Sequence, residues 1–155
     1  MALKPQRSST INYNVQFFAN AVADRGGIVC ATTGTPGSGA ARDSANMTVE
    51  YAANPSGRYP IGLLLNDIVN KDLSQTWRND FRYETQVGDK VPIATKGTFT
   101  TNALTGGTAS VIPGQPAFLG PTGTITATQP TGARQVGTFQ SRVDEDGYFS
   151  VQIDL

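Results

Sequence analysis

The chain has 155 residues, twelve of them basic and twelve acidic, so its formal net charge is zero. Charged residues make up 15%, against about 25% in an average domain. There is no histidine and one cysteine. These figures argue against histidine-based acid–base or metal chemistry, a disulfide framework, and a basic surface able to neutralise phosphates. Neither nucleic acid nor an anionic membrane surface is expected as a partner.

Residues 1–12 are polar and lack periodic apolar positions, so they read as an extended arm. The arm carries basic residues but no following apolar run, which points away from a secretory signal and toward synthesis in a cytosol. Residues 13–155 are expected to form one β domain, long enough to bury roughly 70% of its unfolded surface.

Tyr13, Val15 and Phe17 alternate with polar residues and predict a half-buried strand. Arg25-Gly26-Gly27 turns the chain into a second strand at Ile28–Ala31. Thr33–Ala40 is a loop by composition, and it lacks the Lys-Ser/Thr end of a phosphate-binding loop. Met47, Val49 and Tyr51 alternate, then Asn54-Pro55-Ser56-Gly57 marks a turn. The short apolar run Ile61–Leu65 predicts a strand covered on both faces.

The stretch 66–86 leaves two readings open. Leu65, Val69, Leu73, Trp77 and Phe81 recur every four residues, which permits a helix, whereas the intervening Asn, Asp and Thr favour extended structure. Beyond it the pattern is β. Pro92 between Val91 and Ile93 suggests an edge or bulge, and Lys96-Gly97 suggests a turn into Thr98–Thr101. Phe118-Leu119 and Thr124–Thr128 follow. Two strands close the sequence, Gln135–Arg142 and Tyr148–Leu155, joined through Asp144-Glu145-Asp146-Gly147. An Asp-Gly pair between alternating runs is a hairpin signal, with Asp146 accepting a backbone hydrogen bond and Gly147 at positive φ. Short strands at close spacing define an all-β barrel or sandwich. The abundant threonines suit exposed strand faces, and edges of that kind are best covered by neighbouring subunits.

Few constellations could carry chemistry. Cys30 sits in an apolar run and reads as a buried, inert thiol. Asp67, Asp72, Asp80 and Glu84 near Trp77 allow carboxylate-pair chemistry on a glycan, but solvated acids and a packed Trp77 account for them better. The Asp144–Gly147 turn lacks the further ligands of a calcium loop. No catalytic, cofactor or metal residue is assigned, and no enzyme is expected.

Three stretches carry a resemblance: Tyr59-Pro60-Ile61-Gly62-Leu63-Leu64-Leu65-Asn66-Asp67-Ile68-Val69-Asn70; Gln86-Val87-Gly88-Asp89-Lys90-Val91 leading into Thr95-Lys96-Gly97; and Val136-Gly137-Thr138-Phe139 with Asp144-Glu145-Asp146-Gly147-Tyr148. Together they resemble the capsid decoration (cement) proteins of tailed bacteriophages, with Trp77–Arg82 departing from the pattern. The resemblance implies a small β-barrel or β-tulip domain with an extended N-terminal arm. It also implies a homotrimer on the exterior of an icosahedral head, bound to the major capsid protein and stabilising the shell. On that view the arm orders only on a neighbour, and Leu3, Pro5, Arg7, Tyr13, Phe17, Trp77 and Phe81 are the candidate capsid or inter-subunit contacts. The alternative from another class is a carbohydrate-binding or adhesion module displayed on the virion, with Trp77 and tyrosines as stacking platforms.

Overall fold

Alternating apolar positions and frequent turn residues give an almost wholly β structure. The computed structural model describes residues 3–4, 12–14, 17–32, 48–71 and 83–155. In chain order the strands are β1 (Leu3–Lys4), β2 (Asn12–Asn14), β3 (Phe18–Ala19), β4 (Ile28–Ala31), β5 (Thr48–Glu50), β6 (Pro60–Leu64) and β7 (Asp67–Val69). Then come β8 (Glu84–Gln86), β9 (Ile93–Thr101), β10 (Pro116–Leu119), β11 (Ile125–Thr126), β12 (Gln135–Phe139) and β13 (Phe149–Asp154). Only two short 3-10 turns, at Thr108–Ser110 and Pro121–Gly123, interrupt them among the described residues. The main pairing path runs β11-β10-β12-β13-β9-β6-β4-β5-β3. All-β is therefore the class, and the described ladders leave this path open rather than closing it into a barrel.

The long strand β9 organises the molecule. Lys96 pairs with Asp154 of β13 and with Asn12 of β2, so β13 and β2 lie on opposite edges of β9. Ala94 pairs with both Tyr13 and Leu63, so β6 lies opposite β2 and continues the edge that β13 begins. The other edge is covered by β1 at Thr100–Thr101 and by β2 at Ile93–Lys96. The arm, expected to order only on a neighbour, thus pairs with its own chain at both described segments. The turn expected at Lys96-Gly97 is a second departure. Gly97 takes φ 145° inside β9, within the part that pairs with β13, opposite Ile153. Glycine adopts that positive φ without interrupting the strand. Pro92 stands just before β9, where its missing N–H is not needed.

Two apolar clusters lie on opposite faces of the β4–β6–β9 region. Ile28, Cys30, Leu63 and Ala94 join Phe99, Leu119, Phe139, Phe149, Val151 and Ile153 in the larger one. Their neighbours in sequence, Val29, Leu64 and Ile93, face the other way, toward Ala19, Val49, Ile68 and Val91. Leu63 and Leu64 are both fully buried, as the covered-strand reading of Ile61–Leu65 requires. Phe139 and Phe149 meet at 5.3 Å between centroids in a tilted pair, an arrangement worth about 0.5–1.5 kcal/mol beyond area burial. β13 keeps strict alternation, with Phe149, Val151 and Ile153 buried and Gln152 and Asp154 outside.

The turns follow the sequence closely. Gly57 takes φ 68° after Pro55, and Ser56 N donates to Asn54 Oδ1 at 3.0 Å. Gly147 takes φ 83°, and Asp144, which the sequence did not single out, accepts from Tyr148 N at 2.6 Å. The ambiguous stretch is extended at both ends, where β7 and β8 pair in parallel; residues 72–82 lie outside the described part. Two threonines depart from the surface role. Thr101 is buried, donating to Gly26 O at 2.8 Å and accepting from Ala103 N at 3.2 Å, and Thr126 is buried with Thr128 as partner.

Candidate docking surface

Several surface charges are closed in ion pairs. Lys96 meets Asp154 at 2.9 Å and Arg58 meets Glu50 at 3.6 Å. The ladder of β7 and β8 does place Asp67 opposite Glu84, two of the acids considered for glycan chemistry. Asp67 accepts from Arg25 N at 2.7 Å, however, and Glu84 is held by Lys71. Among the described residues no three His, Cys, Asp or Glu side chains gather as a metal site would need. Cys30 has no exposure, and burial pushes its thiol up to about 11; the Arg58 guanidinium opposes the shift and Glu50 adds to it. Burial also raises the Tyr51 phenol well above its ordinary value, against the opposing hydrogen bond from Gly27 N. Neither group is an available nucleophile at neutral pH.

Apolar surface is where the molecule is distinctive. A groove of about 610 Å³ is lined by Tyr59, Pro60, Phe118, Ala133, Arg134 and Leu155, with Gln129 and Gln135 at its rim. Each lining residue is fixed by local structure. Tyr59 follows the Asn54–Gly57 turn; its carbonyl accepts from Ala31 N at 3.3 Å while the side chain stays 61% exposed. Phe118 occupies the outward phase of β10, between buried Ala117 and Leu119, where a register shift lies between Ala117 and Phe118. Arg134 O accepts from Leu119 N at 2.9 Å, anchoring the residue that enters β12. Leu155 N donates to Thr95 O at 3.0 Å, and its side chain is 41% exposed.

Two loops are tied together beneath the groove. Gly57 N donates to Gly132 O at 3.2 Å, and a Cβ on Gly132, already at φ 72°, would approach Ser56 Oγ to 2.8 Å. The Arg134 guanidinium lies over the Tyr59 ring, 4.2 Å from its centroid, a cation–π pair. Val22, Tyr83 and Val87 are also exposed, Tyr83 and Val87 flanking β8, with Arg25 5.1 Å over the Tyr83 ring. Tyr83 takes φ 70°, an uncommon conformation for a bulky residue.

Of the residues singled out from the sequence, Leu3 packs on the larger apolar cluster and Phe17 on the smaller one, both half-buried. Tyr13 lies in β2, opposite Ala94. Pro5, Arg7, Trp77 and Phe81 lie outside the described residues. The groove residues were not singled out for contact. Tyr59 belonged to a resembling stretch, but nothing in the sequence ties it to Phe118, Arg134 and Leu155.

The fold is that of an all-β protein with an outward apolar groove and largely paired surface charge. The model of the XM1 gp53 minor capsid protein family matches residues 4–153, nearly the whole chain. The chain belongs to that family of phage capsid proteins: it is a structural protein of the virion and associates with the capsid. No curated protein matches the sequence.

Proposed function

We propose that this capsid protein is a cement, or decoration, protein. It binds the major capsid protein on the outside of the icosahedral head as a homotrimer and stabilises the shell without performing chemistry. The observation that carries this reading is the apolar groove at Tyr59, Phe118 and Leu155 on a molecule of zero net charge. Exposed apolar area held in fixed shape and flanked by polar residues is the signature of a protein contact site. The outer faces of β9, β12 and β13 support it. They carry hydroxyls and amides, such as Thr100 with Ser150 at 3.0 Å and Gln140 with Gln152 at 3.1 Å, beside the Lys96–Asp154 ion pair. Modest contacts repeated across a trimer and over a shell add through avidity.

The test is imaging of heads assembled with and without the chain, followed by heating of both. Threefold density on the shell exterior and later rupture of decorated heads are expected. Density confined to the inner surface, or to the tail vertex, would refute the cement role.

A further inference from the structure

Among the side chains that line the groove one is charged, Arg134, and this specifies a partner. Gln129 and Gln135 donate from Nε2 to Ala133 O at 3.0 Å and Gly137 O at 3.1 Å. The floor strand β10 is paired on both edges, with β11 and β12, and Pro60 at the start of β6 has no N–H. Strand addition is therefore not the mode of recognition here. The one charged side chain among the groove's lining residues is Arg134, which lies over the Tyr59 ring. The nearest acid in sequence to the groove, Asp154, faces Lys96.

A guanidinium held over a ring by cation–π attraction keeps N–H donors for a carboxylate. The contact also restricts the arginine in advance, so less side-chain entropy is lost when a partner binds. Beside it lie Phe118 and Leu155, apolar and partly uncovered. Tyrosine and arginine around an apolar pocket are the residues that dominate binding energy at protein contacts.

We propose that the groove accepts a segment of the capsid shell protein bearing an apolar side chain next to an aspartate or glutamate. The apolar side chain lies over Phe118 and Leu155, and the carboxylate takes the Arg134 fork. This rests on the capsid-docking reading above and adds the chemistry of the docked segment.

The test measures binding of the full-length protein to heads lacking it, by co-sedimentation at two salt concentrations. Variants are Arg134→Glu, Tyr59→Ala and, as an equal charge change outside the groove, Arg142→Glu. Arg134→Glu and Tyr59→Ala are expected to bind about thirty-fold more weakly, the loss of a hot-spot residue. Arg142→Glu should bind like the parent, and Arg134→Glu should flatten the salt dependence. All three positions face solvent, so unchanged melting curves verify folding. A photo-crosslinking residue placed at Tyr59 should then capture an acid-containing apolar peptide of the shell protein. Parent-like binding by both groove variants overturns the proposal while leaving capsid docking intact. Failure of the parent protein itself to bind heads overturns capsid docking. Capture of a second copy of this chain, or displacement from heads by a glycan, also overturns the assignment.

Discussion

Replacing Gly137 with alanine is the sharpest test of the sheet geometry. Gly137 sits in β12 opposite Ile153 of β13, and a Cβ there would lie 1.9 Å from Gln152 O and 2.9 Å from Gln152 C. The obstacle is main chain, and it belongs to a strand held on its other side by β9 from Lys96 to Thr101. β13 cannot retreat without loosening that ladder and the packing of Val151 and Ile153. Inserting a methyl group into a packed region costs about 1–3 kcal/mol, and a rigid backbone obstacle places this substitution at the upper end. For a chain of this size about 3 kcal/mol lowers the melting temperature by roughly 6–12 °C. Gly107→Ala is the matched control. Gly107 has φ −74° and nothing within 4 Å of its Cβ position, so alanine there should stabilise by about 0.4–1 kcal/mol by restricting the unfolded chain. Thermal melts followed by circular dichroism read both. A Gly137→Ala protein melting within about 2 °C of the parent would refute the register of β12 on β13.

Tyr51→Phe removes the hydroxyl that accepts from Gly27 N at 3.1 Å and donates to Asp24 O at 2.5 Å. A buried N–H left without a partner should cost about 1–3 kcal/mol in urea unfolding, and an unchanged midpoint would contradict that contact. The Cys30 thiol, at about 11 in the folded protein against an ordinary value of 9.0, keeps a proton that the unfolded chain releases. Its contribution is complete below pH 9 and lost as pH rises toward 11, so the urea midpoint should be flat from pH 6 to 8 and fall above 9. A midpoint that rises above pH 9, or rapid labelling of the native thiol at pH 8, would contradict it. Deleting residues 1–12 removes Leu3 from the larger cluster and uncovers the β9 edge at Lys96, Thr100 and Thr101. The truncated protein should aggregate as its concentration rises, seen by light scattering, and a stable soluble form with unaltered melting would show that the arm does not guard that edge.

Local signals were well expressed in the sequence. The turns at Asn54–Gly57 and Asp144–Gly147, the two-faced run at Ile61–Leu65 and the buried Cys30 all rest on contacts a few residues apart or on composition, which periodicity reports directly. What sequence could not convey was long-range. Lys96-Gly97 reads as a turn because glycine commonly ends strands. Its neighbours belong to one strand only because β6 and β13 take up successive parts of the same β9 edge. The groove was illegible for the same reason. Tyr59, Phe118, Arg134 and Leu155 come from four separate stretches, and an outward Phe118 shows as exceptional only once Ala117 and Leu119 are known to point inward. Thr101 illustrates the remaining limit: nothing local distinguishes a threonine that caps a buried carbonyl from one that wets a strand.

The charge arrangement bears on how such a protein would reach a shell. With zero net charge and most described ion pairs closed within the surface, the molecule has little long-range field to steer an encounter. Association then proceeds at an ordinary protein–protein rate, and affinity must be set by how slowly the contact breaks. Slow release needs short-range, desolvated contact, which the Tyr59–Arg134 pair beside Phe118 and Leu155 can supply and the hydroxyl-lined sheet faces cannot. Zero net charge also limits repulsion between neighbouring copies at the density of a shell. On this reading the composition noted first, few charges and no histidine, belongs with the groove: it leaves docking to one shaped patch and makes that patch insensitive to pH from 6 to 8.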